Sequence, residues 1–491
     1  MDIEETLKNI KKLLQEHSQS HLLAFWDHLS PDQRHNLLTQ LSSLDWPKID
    51  DYVADCVKKL PSVKLPADLA PPEFYPAQSK NRRQQAKYAQ ARELGEKLIS
   101  AGKVAAFVVA GGQGTRLGFD RPKGDLPITP VKNKALFRIF AETIAAASNK
   151  YQATCPWYIM TSPLNHHQTI EIFRKNDYYG LEPNNVFIFQ QGTLPNFSFD
   201  GKILLADKGQ IAASPDGHGG SLKALYVGGA VDDMKKRGIE FISYWQVDNP
   251  LINIFDPLFI GLHALDRAEM SSKTVIKTGP YEKVGNFCIA DGRLTVIEYS
   301  DLPDDLAEKL NPVGQAISRQ GWPVPPCGNG SLAFQLGSIA IHIISTAFVE
   351  KLNAHGFSLP VHRAVKKIPH IDRKGNPIEP KKPNGIKLET FIFDALPLAQ
   401  NSIILETIRS QEFAPTKNAT GIDSIETTRQ MIIDRTADWL QAAGVQIPRK
   451  ADGSPDCTLE IAPAFALHKE DVKQKRDRIP SIKSGQSVLI A

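Results

Sequence analysis

Apolar positions change rhythm several times along this chain. At the amino terminus Ile3, Leu7, Ile10 and Leu14 recur at helical spacing, and the first sixty residues read as helices. Ser30-Pro31-Asp32-Gln33 predicts a helix start, with Ser30 as the cap, Pro31 in the first turn and Gln33 closing a capping box. Pro61, Pro66, Pro71, Pro72 and Pro76 make a stiff irregular connector, and a polar helix is expected from about Asn81 to Ser100.

At Val104 the rhythm becomes a continuous apolar run, Val104-Ala105-Ala106-Phe107-Val108-Val109-Ala110, as expected of a parallel strand buried on both faces. Further strands are expected at Trp157 to Thr161, Val186 to Phe189 and Phe241 to Val247, with helical patterns at Ala135 to Ala147 and Leu222 to Lys236 between them. This alternation predicts an α/β fold with a doubly wound sheet, in which ligands bind beyond the carboxyl ends of the strands. Past about residue 270 the text becomes strand-rich, at Thr274 to Thr278, Asn286 to Ile289 and Leu294 to Tyr299, which adds a β region beside the main sheet. A helix from Ile425 to Ala443, capped by Ser424, precedes a mostly irregular tail. The expected division is an N-terminal helical region over 1–100, a sheet domain over 101–405 and a small C-terminal domain over 406–491. No internal repeat interrupts it.

Composition narrows the class. In 491 residues, 58 Lys plus Arg stand against 54 Asp plus Glu, a formal net charge of +4. That balance gives no bulk attraction for nucleic acid. Cys56, Cys155, Cys288, Cys327 and Cys457 are scattered and odd in number, which argues against a zinc site or a disulfide framework. The acidic N-terminus carries no apolar leader, and no stretch approaches the roughly 20 apolar residues of a membrane span. A cytoplasmic setting is expected.

The first candidate chemistry directly follows the apolar run: Gly111-Gly112-Gln113-Gly114-Thr115-Arg116-Leu117-Gly118. Bare glycines let successive N–H groups approach phosphate oxygens, and Arg116 adds a charged fork. Pro122-Lys123-Gly124 then supplies a lysine held between two conformational constraints. The P-loop pattern G-x-x-x-x-G-K-[ST] is absent, and Gly112, Gly114 and Gly118 do not fit G-x-G-x-x-G. Asp248, ending the strand Tyr244-Trp245-Gln246-Val247, is a carboxylate placed where a Mg²⁺ ion among phosphates would find it. Gly217 sits in a Gly-His-Gly-Gly stretch before a helix, a place for backbone contact with a ligand. No Ser-His-Asp or Cys-His pattern stands out.

These residues resemble a family. Ala110 to Gly118 with Pro122-Lys123-Gly124, Phe189-Gln190-Gln191-Gly192-Thr193-Leu194-Pro195, Pro215-Asp216-Gly217-His218-Gly219-Gly220, Val247-Asp248-Asn249-Pro250, Val296-Ile297-Glu298-Tyr299-Ser300, Lys382 to Lys387 and Phe413 to Ala419 recur in the order found in UDP-sugar pyrophosphorylases, and look most like the UDP-N-acetylglucosamine pyrophosphorylase branch. The resemblance implies a Rossmann-like nucleotidyltransferase sheet related to the GT-A fold. It also implies a reaction of UTP with a sugar 1-phosphate that gives a UDP-sugar and pyrophosphate. It assigns Gly111, Gly112, Gln191 and Gly217 to the nucleotide, with Gln191 reading the uracil edge. Arg116, Lys123 and Lys417 fall to phosphate neutralisation, and Asp248 to Mg²⁺, with Mn²⁺ as a substitute. The sugar side falls to His218, Gly285, Glu298, Tyr299, Ser338, Phe391 and Phe393, the last two expected on one face of a strand.

Two departures leave the sugar open. His218 replaces the asparagine of P-D-G-N-G-G, and Gly337-Ser338-Ile339-Ala340-Ile341-His342 lacks both asparagines of the family's G-N-I-A-N-H. N-acetylglucosamine 1-phosphate is the leading expectation. Glucose 1-phosphate, broad specificity and a non-catalytic UDP-sugar sensor are the alternatives. A glycosyltransferase is disfavoured because Asp-x-Asp occurs nowhere. No nucleic-acid or membrane partner is expected, and nothing in the sequence fixes the oligomeric state.

Overall fold

The computed structural model describes residues 3–59, 65, 68–310 and 331–491. Pro61, Pro66 and Cys327 lie outside the described residues. The chain forms two compact units, each assembled from separated stretches. One comprises 66–190, 222–357 and 395–491, the other 1–65, 191–221 and 358–394.

The larger unit is built on a nine-stranded mixed sheet. Its strands are β1 (Val104–Val109), β2 (Trp157–Thr161), β3 (Val186–Gln190), β4 (Phe241–Gln246), β5 (Met270–Ile276), β6 (Gly285–Ala290), β7 (Arg293–Ile297), β8 (Leu336–Ser345) and β9 (Ile404–Glu406). The spatial order is β7-β6-β8-β4-β1-β2-β3, with β5 paired to β8 and β9. Strands β4, β1, β2 and β3 run parallel, and Val108 sits between Ile159 and Trp245 in register. Strands β8, β6 and β7 continue the sheet antiparallel. The unbroken apolar text of β1 has its cause here: Val104 to Val108 are at most 1% exposed, as both faces of the strand are covered.

Helices α1 (Arg82–Ser100), α2 (Leu136–Tyr151), α3 (Pro257–Leu265) and α4 (Ile425–Ala442) cover this sheet. Three begin at the expected kind of cap: the side chains of Asn81, Asp256 and Ser424 accept from N–H groups of the first turn. Phe140 and Ile144 of α2 join Phe259 and Leu262 of α3 in the main core. Helices α1 and α3 touch backbone to backbone. A Cβ built on Gly95 would lie 1.9 Å from the Pro257 carbonyl oxygen, and one on Gly261 only 1.7 Å from that of Ala91.

Two expectations for this part of the chain need correction. The helix expected over 222–236 is two, Gly220–Val227 and Ala230–Lys236, because Gly229 takes φ +76° at the break. The tail is more ordered than its composition suggested: Thr458–Ile461 pairs in parallel with Ser487–Ile490, and Leu459 and Ile490 share a satellite core with Leu440 of α4.

In the smaller unit, helices Ile3–Glu16, Pro31–Ser42 and Trp46–Asp51 bury Leu14, Leu37, Leu41 and Trp46 in one core with Phe197, Ile386 and Leu388 of a three-stranded antiparallel sheet. Ser30 and Gln33 form the capping box. Among the described residues no helix is long and apolar enough to cross a membrane.

The α1–α3 contact generates a test. Gly261→Ala must push two helix backbones apart, and urea unfolding is expected to show a loss of about 1–3 kcal/mol, the usual cost of overpacking a tight contact.

Candidate active site

In the larger unit, the glycine loop follows β1 and is held through its carbonyl groups. Asn165, just past β2, donates from Nδ2 to the carbonyl oxygens of Ala110 (2.9 Å) and Gly112 (3.3 Å). Ser162 Oγ donates to the Gly111 oxygen at 2.8 Å, and the Lys123 N–H to the Gly112 oxygen at 3.1 Å. Among the described residues the N–H groups of Gly111 and Gly112 have no hydrogen-bond partner in the protein. A Cβ added to Gly112 would meet nothing within 4 Å. Packing within the chain therefore does not demand glycine there. Gly124 is different, since a Cβ there would fall 2.1 Å from the Phe137 ring.

The same edge of the sheet carries the charged groups. The Lys123 Nζ lies 3.4 Å from the Asp248 carboxylate, just past β4, with both side chains largely buried. Arg116 is exposed and makes no ion pair among the described residues. Lys417, far along the chain, arrives beside Asp248 because the Thr416 N–H donates to the Asp248 carbonyl at 2.9 Å. Lys417 itself is exposed, and its N–H donates to the Asp423 carbonyl at 2.7 Å. Burial pushes the Asp423 carboxyl up; the Lys417 charge opposes this and the Asp248 charge adds to it. Among the described residues no cluster of three or more His, Cys, Asp or Glu could hold a metal. One carboxylate beside a phosphate loop is nevertheless a donor set suited to Mg²⁺, which keeps several waters and takes its remaining ligands from substrate phosphates.

Gly285, Glu298 and Ser338 converge on one face where β6 and β8 pair. A Cβ on Gly285 would stand 3.7 Å from both the Glu298 Oε1 and the Ser338 Cβ. Tyr299 is 44% exposed at the turn that follows.

The smaller unit brings together the rest. Gln191 Nε2 donates to Asp216 Oδ1 at 3.0 Å, which fixes the direction of its amide. Gly217 takes φ +85°, and a Cβ there would lie 2.3 Å from the Thr390 carbonyl oxygen. The two loops are joined by bonds from the Thr390 N–H and Oγ1 to the Asp216 carbonyl, each 2.8 Å.

Phe391 and Phe393 do not lie in a strand. The strand ends at Thr390 and a 3₁₀ turn, Ile392–Leu398, begins. Their rings still meet, 5.1 Å apart, in a stack that continues through His218 (5.2 Å from Phe391) and His362 (4.3 Å from Phe391). The Ile392 N–H donates to His218 Nδ1 at 3.1 Å. That bond puts the proton of the neutral ring on Nε2, which can then only donate. Desolvation pushes the His218 pKa down to about 4.

Asn165, whose side-chain amide holds the glycine loop, is a residue that the sequence reading passed over. Asn165 had a usable signal, an amide four residues past the end of a buried strand.

A parallel strand followed by a carbonyl-pinned glycine loop, with a lysine–carboxylate pair at the next strand end, defines a nucleotide-binding α/β protein of the phosphate-transferring kind. The family described as UTP–glucose-1-phosphate uridylyltransferase (UDPGP) matches residues 70–316. UDP-N-acetylhexosamine pyrophosphorylase-like protein 1 of Homo sapiens is 34% identical, with 95% of this chain and 94% of that protein covered. UDP-N-acetylglucosamine pyrophosphorylase of Saccharomyces cerevisiae is 32% identical over 96% and 98%. The crystal structure of the uridine diphosphate N-acetylglucosamine pyrophosphorylase from Trypanosoma brucei, in complex with inhibitor, superposes with a TM-score of 0.79 at 26% identity, covering 100% of this chain and 98% of that one. The chain belongs to the UDPGP uridylyltransferase family.

The lowered His218 pKa has a checkable consequence. Its neutral form is favoured by the fold, so its contribution to stability is complete above its ordinary 6.5 and is lost as pH falls toward 4. In an NMR titration the His218 ring resonances should move with a midpoint near 4, and remain unchanged between pH 6 and 8.

Proposed function

We propose that this protein transfers a uridylyl group from UTP to N-acetylglucosamine 1-phosphate, giving UDP-N-acetylglucosamine and pyrophosphate. The observation that carries the proposal is the Lys123–Asp248 pair beside a glycine loop whose Gly111 and Gly112 N–H groups have no partner among the described residues. The names of the relatives supply the substrate class.

A phosphate oxygen of the sugar phosphate attacks the α-phosphorus of UTP, and the bond to the bridging oxygen of the β-phosphate breaks. The nucleophile is already anionic, because the second phosphate pKa is about 6. No protein base or covalent intermediate is required. What the chain supplies is position and charge. The N–H groups of Gly111 and Gly112 receive phosphate oxygens, and Arg116, Lys123 and Lys417 neutralise the charge that builds on the transferred and leaving phosphates. Gln191 and Gly217 read the uracil. Asp248 would hold a divalent ion, Mg²⁺ or Mn²⁺, which supplies charge neutralisation on the phosphates. The resemblance gives the sugar to Glu298, Ser338, Gly285 and Tyr299, and to His218, Phe391 and Phe393. The reaction is set in the cytoplasm, a reducing setting in which the four described cysteines stay free thiols.

Glucose 1-phosphate is a second reading, favoured by one observation: His218 and Ser338 stand where the branch has asparagines. Pyrophosphate release with UTP, Mg²⁺ and, in parallel, the 1-phosphates of N-acetylglucosamine, N-acetylgalactosamine, glucose and galactose decides between them. A preference of at least tenfold for N-acetylated sugars is expected, and a preference for glucose or galactose would overturn the first reading.

Two variants test the site. Lys123→Ala should lower kcat by about 100-fold or more, the scale of one preorganised charge-stabilising contact; near-normal turnover would remove Lys123 from the mechanism. Gly112→Ala should melt at the wild-type temperature, since its Cβ meets no protein atom, while losing about tenfold or more in kcat/KM for UTP.

A further inference from the structure

The motif Val247-Asp248-Asn249-Pro250 has one polar side chain, that of Asn249, that the mechanism above does not use. Asn249 is 4% exposed, and its side chain reaches across to the segment that carries Lys417. Nδ2 donates to the Glu412 carbonyl at 2.8 Å, and Oδ1 accepts from the N–H groups of Ala414 (3.0 Å) and Leu251 (3.3 Å). Two residues further on, the Thr416 N–H closes on the Asp248 carbonyl. Residues 412–416 are buried throughout, with Glu412 at 5% and Thr416 at 0%, and the next residue, Lys417, is exposed. A buried, doubly latched segment therefore presents one lysine beside Asp248.

The far end of that segment is anchored by charge. Glu412 accepts from the Lys273 Nζ at 2.6 Å, from the Thr407 Oγ1 at 2.8 Å and from the Asn253 N–H at 3.1 Å. Lys273, 1% exposed, also reaches Asp256 at 2.6 Å. Burial works against its charge, and the two carboxylates outweigh it, so its pKa is raised. Arg435, whose electrostatic partner is Glu412, makes the group two cations and two anions. The side-chain polar atoms of Asn249, Glu412 and Lys273 each have a partner. A free loop carrying Lys417 would have no use for such an arrangement.

We propose that Asn249 is a positioning residue: it sets the distance of Lys417 from Asp248 and acts on catalysis only through that lysine. The inference rests on the role given to Lys417 above.

The test is a double-mutant cycle of Asn249→Ala and Lys417→Ala, read as kcat and KM for both substrates, with the thermal midpoint of each variant recorded. Asn249→Ala alone should lower kcat by roughly 10- to 100-fold, the cost of a small misplacement, with the KM for UTP within about twofold. In the Lys417→Ala background the same change should cost less than about twofold. Hydrogen exchange should rise in 412–418 and not in the glycine loop. If Asn249→Ala does not fold, Asn249→Ser carries the same cycle. Defects that multiply in the double variant, or an Asn249 variant at wild-type kcat, would overturn the inference and leave the role of Lys417 standing. A Lys417→Ala enzyme at normal kcat would remove that role and this inference together.

Discussion

A loop that offers its N–H groups to an anion cannot let the protein's own acceptors take them, yet it cannot be left to wander. Its carbonyl oxygens are the remaining handles. The glycine loop of this protein is gripped by them: Asn165, Ser162 and the Lys123 N–H bond the carbonyls of Ala110, Gly111 and Gly112. Side-chain amides suit the task because their reach spans the gap between neighbouring strand ends, where no ladder of backbone bonds exists. Asn249 repeats the solution one strand over, on the segment that delivers Lys417. The site depends on this division between groups that hold and groups that are kept available.

Much of this arrangement was legible in the residues. The unbroken apolar run located β1, the glycines placed the loop after it, and Asp248 fell at a strand end because the pattern Phe241 to Val247 could only be a buried strand. Helix caps at Ser30 and Ser424 follow local rules and were readable for that reason. What stayed hidden depends on partners distant in sequence. Nothing around Asn249 announces a bond to Glu412, and nothing around His218 reveals that an N–H of residue 392 fixes its tautomer. The grouping of the first 65 residues with 191–221 and 358–394 has the same origin, since a linear reading has no access to which stretches share a core. Phe391 and Phe393 show a milder case. The strand expected to carry both ends at Thr390, three residues short of Phe393, and the rings still stack because the turn brings them round.

Not every cavity of the molecule marks the candidate site. One of about 590 Å³ in the larger unit is lined by Glu96, Lys134, Asp256, Lys273, Glu412 and Trp439 among others, and by none of the glycine loop, Asp248 or Lys417. The candidate site is instead the open edge where Lys123, Asp248 and the glycine loop come together. Phosphoryl transfer asks for positioning and charge neutralisation more than for an enclosing cavity.

The four-charge group behind Glu412 has a consequence for how the protein responds to its medium. Exposed pairs such as Lys59 with Asp55 lie in the ion atmosphere and weaken as electrolyte rises. Lys273 and Glu412 are buried, so the tie between the sheet and the lysine-bearing segment is far less sensitive to salt. In the proposed reading, binding of a polyanionic nucleotide at the exposed edge still weakens with added salt. Ionic strength therefore separates the two layers of the design: it tunes occupancy of the site and leaves its geometry alone.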